Sequence, residues 1–319
     1  MTLVIETRGL VKRYDDEVAV AGIDLEVGPG EIYGLVGPNG AGKTTTMRIL
    51  ATLLAPTAGE ARVAGIDVMT DPIEVRRRIG YMPDFYGVYD DLRVWEYLDF
   101  FARCYGVPAA RRAGMIGELL EIVGLPEKRD AYVEALSRGM RQRLCLAHTL
   151  VHDPQLLILD EPASGLDPRA RVEMREILRE LRGMGKTILV SSHILPELAE
   201  LCTSVGIMDR GRLLRSGRIE EIERSLRATA LLRIELLSDA AAAVEWLGTD
   251  ERVGDVLEVS SDGALTRLDV AFDGSPDGQA DLLRSMIAAG HTVSGFSQAT
   301  SDLEEIFLKV TGKDEETAA

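Results

Sequence analysis

The chain is 319 residues long, enough for a full core and two domains, and carries 52 acidic against 36 basic side chains for a formal net charge of −16. An acidic surface of this kind argues against a non-specific nucleic-acid binder, so no nucleic acid is expected as a partner. Three widely spaced cysteines, Cys104, Cys145 and Cys202, exclude a disulfide framework and a C-x-x-C zinc site, and they predict a reducing, cytoplasmic setting.

Residues 3–36 alternate as short strands, with turns at Asp15-Asp16 and Gly28-Pro29-Gly30. Leu3, Ile5, Val18 and Val20 are expected to share one buried face of an antiparallel sheet. Met1–Glu6 lacks a basic region followed by an apolar stretch, so a signal peptide is not expected. No apolar run along the chain approaches the length of a membrane span, which leaves peripheral contact or a membrane partner. Tyr14, between Lys12-Arg13 and Asp15-Asp16, reads on spacing alone as a strand-end aromatic.

Ile32–Val36 is a short buried strand, and Met47–Leu50 begins a helix. Between them stands Gly37-Pro38-Asn39-Gly40-Ala41-Gly42-Lys43-Thr44-Thr45, with the G-x-x-x-x-G-K-T spacing of a phosphate-cradling loop. Its glycines let successive backbone N–H groups point at a polyphosphate, and the helix N-terminus adds partial positive charge. Lys43 can reach the β- and γ-phosphates, and the Thr44 hydroxyl can ligate Mg²⁺. Strand, loop and helix in this order predict a site for a nucleoside triphosphate.

A Pro/Gly loop at 54–60, a strand at 61–64 and a helix from Pro72 to Arg78 lead into Gly80-Tyr81-Met82-Pro83-Asp84. From Asp90 to Gly124 the pattern is helical, with Val94, Leu98, Phe101 and Tyr105 at helical spacing and the aromatics expected in the core. Ser137 is placed to cap a further helix. Leu156–Leu159 is an apolar strand ending in Asp160 and Glu161, expected beside the nucleotide strand. Asp160 would then hold the Mg²⁺ shell, and Glu161 would act as general base toward a water. An amphipathic helix from Arg169 to Leu181 precedes a buried strand, Thr187–Ser192, that ends at His193, where contact with a γ-phosphate is natural.

Beyond a charged linker at 218–227, alternation at Leu232, Ile234 and Leu236 marks a strand. A helix at 239–247, strands at 253–259 and 265–272 joined at Asp262-Gly263, a helix at 279–289 and a strand at 292–296 follow. This β-α-β-β-α-β order predicts a small ferredoxin-like unit. Leu303, Ile306, Phe307 and Val310 form the stripe of a last helix, and the acidic tail is expected to be disordered.

From about Leu3 to Ser225 the chain resembles the nucleotide-binding subunit of ABC transporters. The resemblance rests on the phosphate loop, the Gln-loop-like Gly80–Asp84, the signature Leu136-Ser137-Arg138-Gly139-Met140-Arg141-Gln142, the Asp160-Glu161 strand, the D-loop Ser164–Asp167 and the switch His193. It is similar to the ATPases that pair with ABC-2-type exporter permeases. The resemblance implies an α/β P-loop NTPase over 1–225, with an antiparallel β subdomain and a helical subdomain at about 85–150. An accessory α+β domain would occupy 226–312 and a tail 313–319. It implies ATP and Mg²⁺ as ligands, Tyr14 as an adenine platform, and Ser137, Gly139 and Gln142 as nucleotide contacts made across a head-to-tail homodimer. It also implies a separate permease as the membrane partner, with the chain peripheral on the inner face of the membrane. Asp84 stands where the family carries Gln, as a charged and shorter metal ligand, and Arg138 stands where a second glycine is usual, its head expected in water. A soluble ABC-type ATPase acting as a mechanical switch in DNA repair or translation is the alternative. The absence of a long coiled coil speaks against it.

Overall fold

The computed structural model describes residues 3–15, 17–85, 87–222, 229–237, 240–262 and 265–299. The chain divides into two compact units, Met1–Ile219 and Glu220–Ala319, each with its own apolar core.

The first unit begins with β1 (Ile5–Tyr14) and β2 (Glu17–Val27), which with β4 (Ala58–Val63) and β5 (Ile66–Asp67) form an antiparallel sheet in the order β2-β1-β4-β5. Ile5 and Val20 face its core as expected, but Val18 is exposed. Irregular pairing between Lys12 and Arg13 shifts the register there, and each one-residue shift turns the alternation over.

The second sheet carries the site. It contains β3 (Ile32–Val36), β6 (Ile79–Met82), β7 (Leu156–Leu159), β8 (Thr187–Ser192), β9 (Ser204–Asp209) and β10 (Arg212–Arg218), in the order β10-β9-β3-β8-β7-β6. All neighbours are parallel except β9 and β10. Every residue of β3, β7, β8 and β9 is buried, which explains their continuous apolar runs: a parallel sheet is covered on both faces. The strand ending in Asp160-Glu161 is therefore not beside the nucleotide strand; β8 stands between them. Both strands flanking β8 are equally buried, and an apolar run records burial without recording its neighbour.

Around this sheet lie α1 (Lys43–Leu50), α2 (Pro72–Arg78), α6 (Pro168–Gly183) and α7 (Leu195–Ala199). Between β6 and β7 the chain runs through α3 (Val94–Cys104), α4 (Ala109–Ile122) and α5 (Arg138–Leu150). Helix starts follow local chemistry. Asp71 and Asp167 accept from the N–H groups of Glu74 and Ala170, each just ahead of a first-turn proline. Tyr97 and Leu98 of α3 are buried, whereas Tyr105 is 46% exposed. Its ring lies flat on His152, with centroids 3.9 Å apart.

The second unit contains β11 (Thr229–Leu236), α8 (Ala240–Leu247), β12 (Val253–Asp262), β13 (Leu265–Asp273), α9 (Pro276–Ala288) and β14 (Val293–Ala299). Its antiparallel sheet runs β12-β13-β11-β14, following the β-α-β-β-α-β order read from the sequence. Leu232, Ile234 and Leu236 alternate into a core shared with Leu268, Val270, Phe272, Leu282 and Met286. The last expected helix, at Leu303–Val310, and the acidic tail Asp314–Glu316 lie outside the described residues, as do Asp16, Asp239, Gly263 and linker residues 223–227.

Candidate functional site

β3 ends at Val36, and the loop that follows turns straight onto α1. Gly42 caps α1 in the left-handed region, with φ of 100° and no side-chain cap, which leaves the helix N-terminus open to an anion. A Cβ on Gly42 would stand 2.4 Å from the Ala19 carbonyl oxygen, and one on Gly37 2.3 Å from the Met208 carbonyl oxygen. Gly37 is therefore required by packing against β9, and Gly42 by packing and by backbone conformation together.

Asn39, Gly40, Gly42, Lys43, Thr44 and Thr45 line one cleft of about 420 Å³, and Tyr14, Asp84, Glu161 and His193 line the same cleft. Tyr14 closes β1 as an exposed residue, 43% accessible, with Lys12 Nζ 5.1 Å from the ring centre. Lys43 is nearly buried, and its ammonium donates to the Gly37 carbonyl at 2.5 Å and the Pro38 carbonyl at 3.2 Å. Burial pulls the Lys43 pKa below its ordinary value, against the opposing pull of Glu161 and Asp160. The ammonium thus finds both acceptors on its own loop.

Asp160 is buried to 1% exposure. Its Oδ1 accepts from Ser191 Oγ at 2.7 Å and from Thr44 Oγ1 at 3.2 Å. Its Oδ2 is buried without a hydrogen-bond partner, and a buried carboxylate oxygen left in this way is costly unless a cation meets it. The pair Thr44–Asp160 thus fits a hard divalent ion bound through oxygens. Among the described residues no set of three His, Cys, Asp or Glu side chains cages an ion unaided. That suits Mg²⁺, which is ordinarily held by one or two carboxylates plus phosphates and water. The Asp160 N–H donates to the Met82 carbonyl at 2.8 Å, which ties the end of β6, and hence the start of the Asp84 loop, to the same corner.

Glu161 sits in the left-handed region with φ of 49°, a conformation costing about 1–2 kcal/mol for a residue with a Cβ. Its N–H donates to Ser191 Oγ at 2.9 Å. Its carboxylate lies 3.9 Å from Lys43 Nζ and 3.0 Å from His193 Nδ1. A carboxylate can only accept, so the proton of the latter bond belongs to Nδ1. Ser191 supports both acids and was missed from sequence. The signal was present as a polar residue inside a fully buried strand, and buried hydroxyls need partners.

Ser137 accepts from the Met140 N–H at 3.3 Å, capping α5 as expected. Ser137, Arg138 and Gly139 line a separate cleft with Leu166, Asp167 and Arg169, and do not join the cleft of their own chain's Lys43. Gln142 is on neither surface. It is buried, and its Nε2 donates to the Pro162 carbonyl at 2.5 Å. It follows Ser137 by about 1.4 turns, which turns it to the inner side of α5, where it acts as a strut beneath the Glu161 turn and not as a contact at the helix end. Arg138 is exposed, as expected, and its Nη2 also donates to the Ser164 carbonyl at 3.3 Å.

The family model described as ABC transporter matches residues 20–164. The chain is 39% identical over 315 residues to the daunorubicin/doxorubicin resistance ATP-binding protein DrrA of Streptomyces peucetius, covering 98% of this chain and 93% of that protein. It is 37% identical over 319 residues to the Nod factor export ATP-binding protein I of Cupriavidus metallidurans, covering 98% and 99%. A solved structure titled as the ATP binding subunit of an ABC transporter superposes with a TM-score of 0.63 at 30% identity, over 70% of this chain and 92% of that one. A phosphate loop, a paired-acid strand and a capped signature helix on one parallel sheet, together with these likenesses over nearly the full length, show that the chain belongs to the ATP-binding proteins of ABC transporters.

Proposed function

We propose that the chain binds ATP with Mg²⁺ between two head-to-tail copies, hydrolyses it, and so drives export through a separate membrane permease. The observation that carries the reading is the cluster in which Glu161 contacts both Lys43 and His193, next in sequence to the buried Asp160 that Thr44 bonds. No helix among the described residues is long and apolar enough to cross a membrane, and the two relatives compared are named for drug resistance and for Nod factor export. Both features fit a subunit that supplies force to a permease made by another chain.

Lys43 rests on loop carbonyls, and Glu161 is clasped by Lys43 and His193. A triphosphate on the open N-terminus of α1 draws the Lys43 ammonium toward its β- and γ-oxygens and gives His193 a second acceptor. Glu161 is then free to accept the proton of a water that attacks the γ-phosphorus. Thr44 and Asp160, with Asp84 at the same cleft, would hold Mg²⁺, which would neutralise charge on the β- and γ-phosphates. Tyr14 takes the adenine face. Ser137 and Gly139 of the second copy present a helix N-terminus to the γ-phosphate, so hydrolysis removes the bridge between copies.

The test is threefold. Purified chain should show Mg²⁺-dependent phosphate release from ATP, Glu161→Gln should accumulate ATP-bound dimers, and a pull-down from solubilised membranes should recover an integral membrane protein. Ribosomes or DNA in that pull-down would favour the mechanical-switch alternative.

A further inference from the structure

Arg138 opens α5 immediately after its Ser137 cap. Its Nη2 donates to the Ser164 carbonyl at 3.3 Å, and its guanidinium lies across Gly165. The approach is so close that a Cβ built on Gly165 would meet Cζ at 2.4 Å, and Gly165 itself has φ of 66°. α5 also touches the helix that follows this loop. A Cβ on Gly139 would stand 3.2 Å from the Ala170 Cβ, and Arg143 pairs with Glu173 at 3.4 Å. These later contacts join α5 to α6, whereas Arg138 reaches the loop between β7 and α6.

That loop borders the chemistry. Ser164 lines the nucleotide cleft together with Lys43, Glu161 and His193. The Ser164 N–H donates to the Glu161 carbonyl at 3.0 Å, and the Leu166 N–H to the Ala163 carbonyl at 3.3 Å. A group that holds the Ser164 carbonyl therefore bears on the backbone of Glu161, which stands in a strained left-handed turn.

We propose that Arg138 is a positioning residue that fastens the loop 163–167 to the N-terminus of α5 and, through Ser164, steadies the turn from which Glu161 projects. The contact lies within one chain and needs neither nucleotide nor a second copy. Its kinetic consequence rests on the reading of Glu161 as base. In the head-to-tail pair the N-terminus of α5 faces the other copy's nucleotide, so Arg138 is a direct link between that nucleotide and the loop beside its own chain's cleft. A glycine at this position could not form the link.

Hydrogen exchange on the nucleotide-free chain tests the contact. In Arg138→Gln, exchange of the Ser164 and Leu166 amides should rise about three- to tenfold, the scale of one ordinary net hydrogen bond, since the contact is exposed to water. Arg138→Lys, which keeps a cationic donor, should recover most of the protection. In steady-state hydrolysis, Arg138→Gln should lower kcat about three- to tenfold with KM for ATP unchanged, and Lys should rescue it. Unchanged exchange in Arg138→Gln overturns the proposal. So does a raised KM with kcat intact, which would make Arg138 a phosphate contact across the pair. If the parent chain hydrolyses no ATP, the proposed function fails while the exchange result still decides the contact. Arg138 is exposed, so both variants are expected to fold, and their far-UV circular dichroism checks it.

Discussion

Glu161→Gln keeps the volume of one side chain and removes its charge and basicity. A general base contributes about 10²–10⁴ in rate, which is about 3–5 kcal/mol of barrier at about 1.36 kcal/mol per tenfold. The carboxylate also attracts Lys43 Nζ across 3.9 Å. At an effective dielectric constant of about 20 this amounts to about 4 kcal/mol before desolvation is counted. The attraction competes with a phosphate for the same ammonium, so the Gln variant should bind ATP at least as tightly as the parent while kcat falls at least a hundredfold. Binding is measured by calorimetry, turnover by phosphate release, and dimer accumulation by size exclusion with and without Mg²⁺-ATP. Turnover within tenfold of the parent would remove Glu161 as base. A loss of ATP binding equal to the loss of rate would make the carboxylate an architectural part of the loop.

Asp160→Asn should raise the nucleotide-free melting temperature, because an unpartnered buried carboxylate oxygen is replaced by a neutral group, and should abolish the further rise given by Mg²⁺-ATP. Asp84→Gln should raise the Mg²⁺ concentration for half-maximal hydrolysis severalfold, since an amide is a weaker ligand than a carboxylate; identical titrations would show that Asp84 does not reach the ion. Gly37→Ala should lower the melting temperature and weaken ATP binding together, because its Cβ collides with the Met208 carbonyl. Burial, with a smaller push from His152, holds the His148 imidazole down at about 4. Below pH about 6.5 the unfolded chain takes up a proton that the folded chain refuses, so stability should fall by about 1.4 kcal/mol per pH unit from about 6.5 to 4, with no contribution from this group above that range. Urea unfolding at pH 7 and pH 5 should show a smaller pH slope in His148→Gln.

The phosphate loop was legible because its chemistry is local: spacing, a preceding strand and a following helix lie within one short window. The cap at Ser137 was equally local. What crosses the chain was not legible. The continuous apolar runs of β7 and β8 announce burial but not adjacency, so the place of Leu156–Leu159 in the sheet was misjudged. Ser191, Gln142 and Arg138 take their roles from partners 31, 20 and 26 residues away. No periodicity signals contacts at those separations. Val18 was lost to an irregular strand pair, which a pattern of alternating residues cannot reveal.

The Ser191 hydroxyl donates to Asp160 and accepts from the backbone of Glu161, and it rides on the strand whose end carries His193. One hydroxyl is thus a shared rivet: a shift of β8 against β7 would displace Asp160, the Glu161 turn and the His193 imidazole together, where three separate supports would let each drift alone.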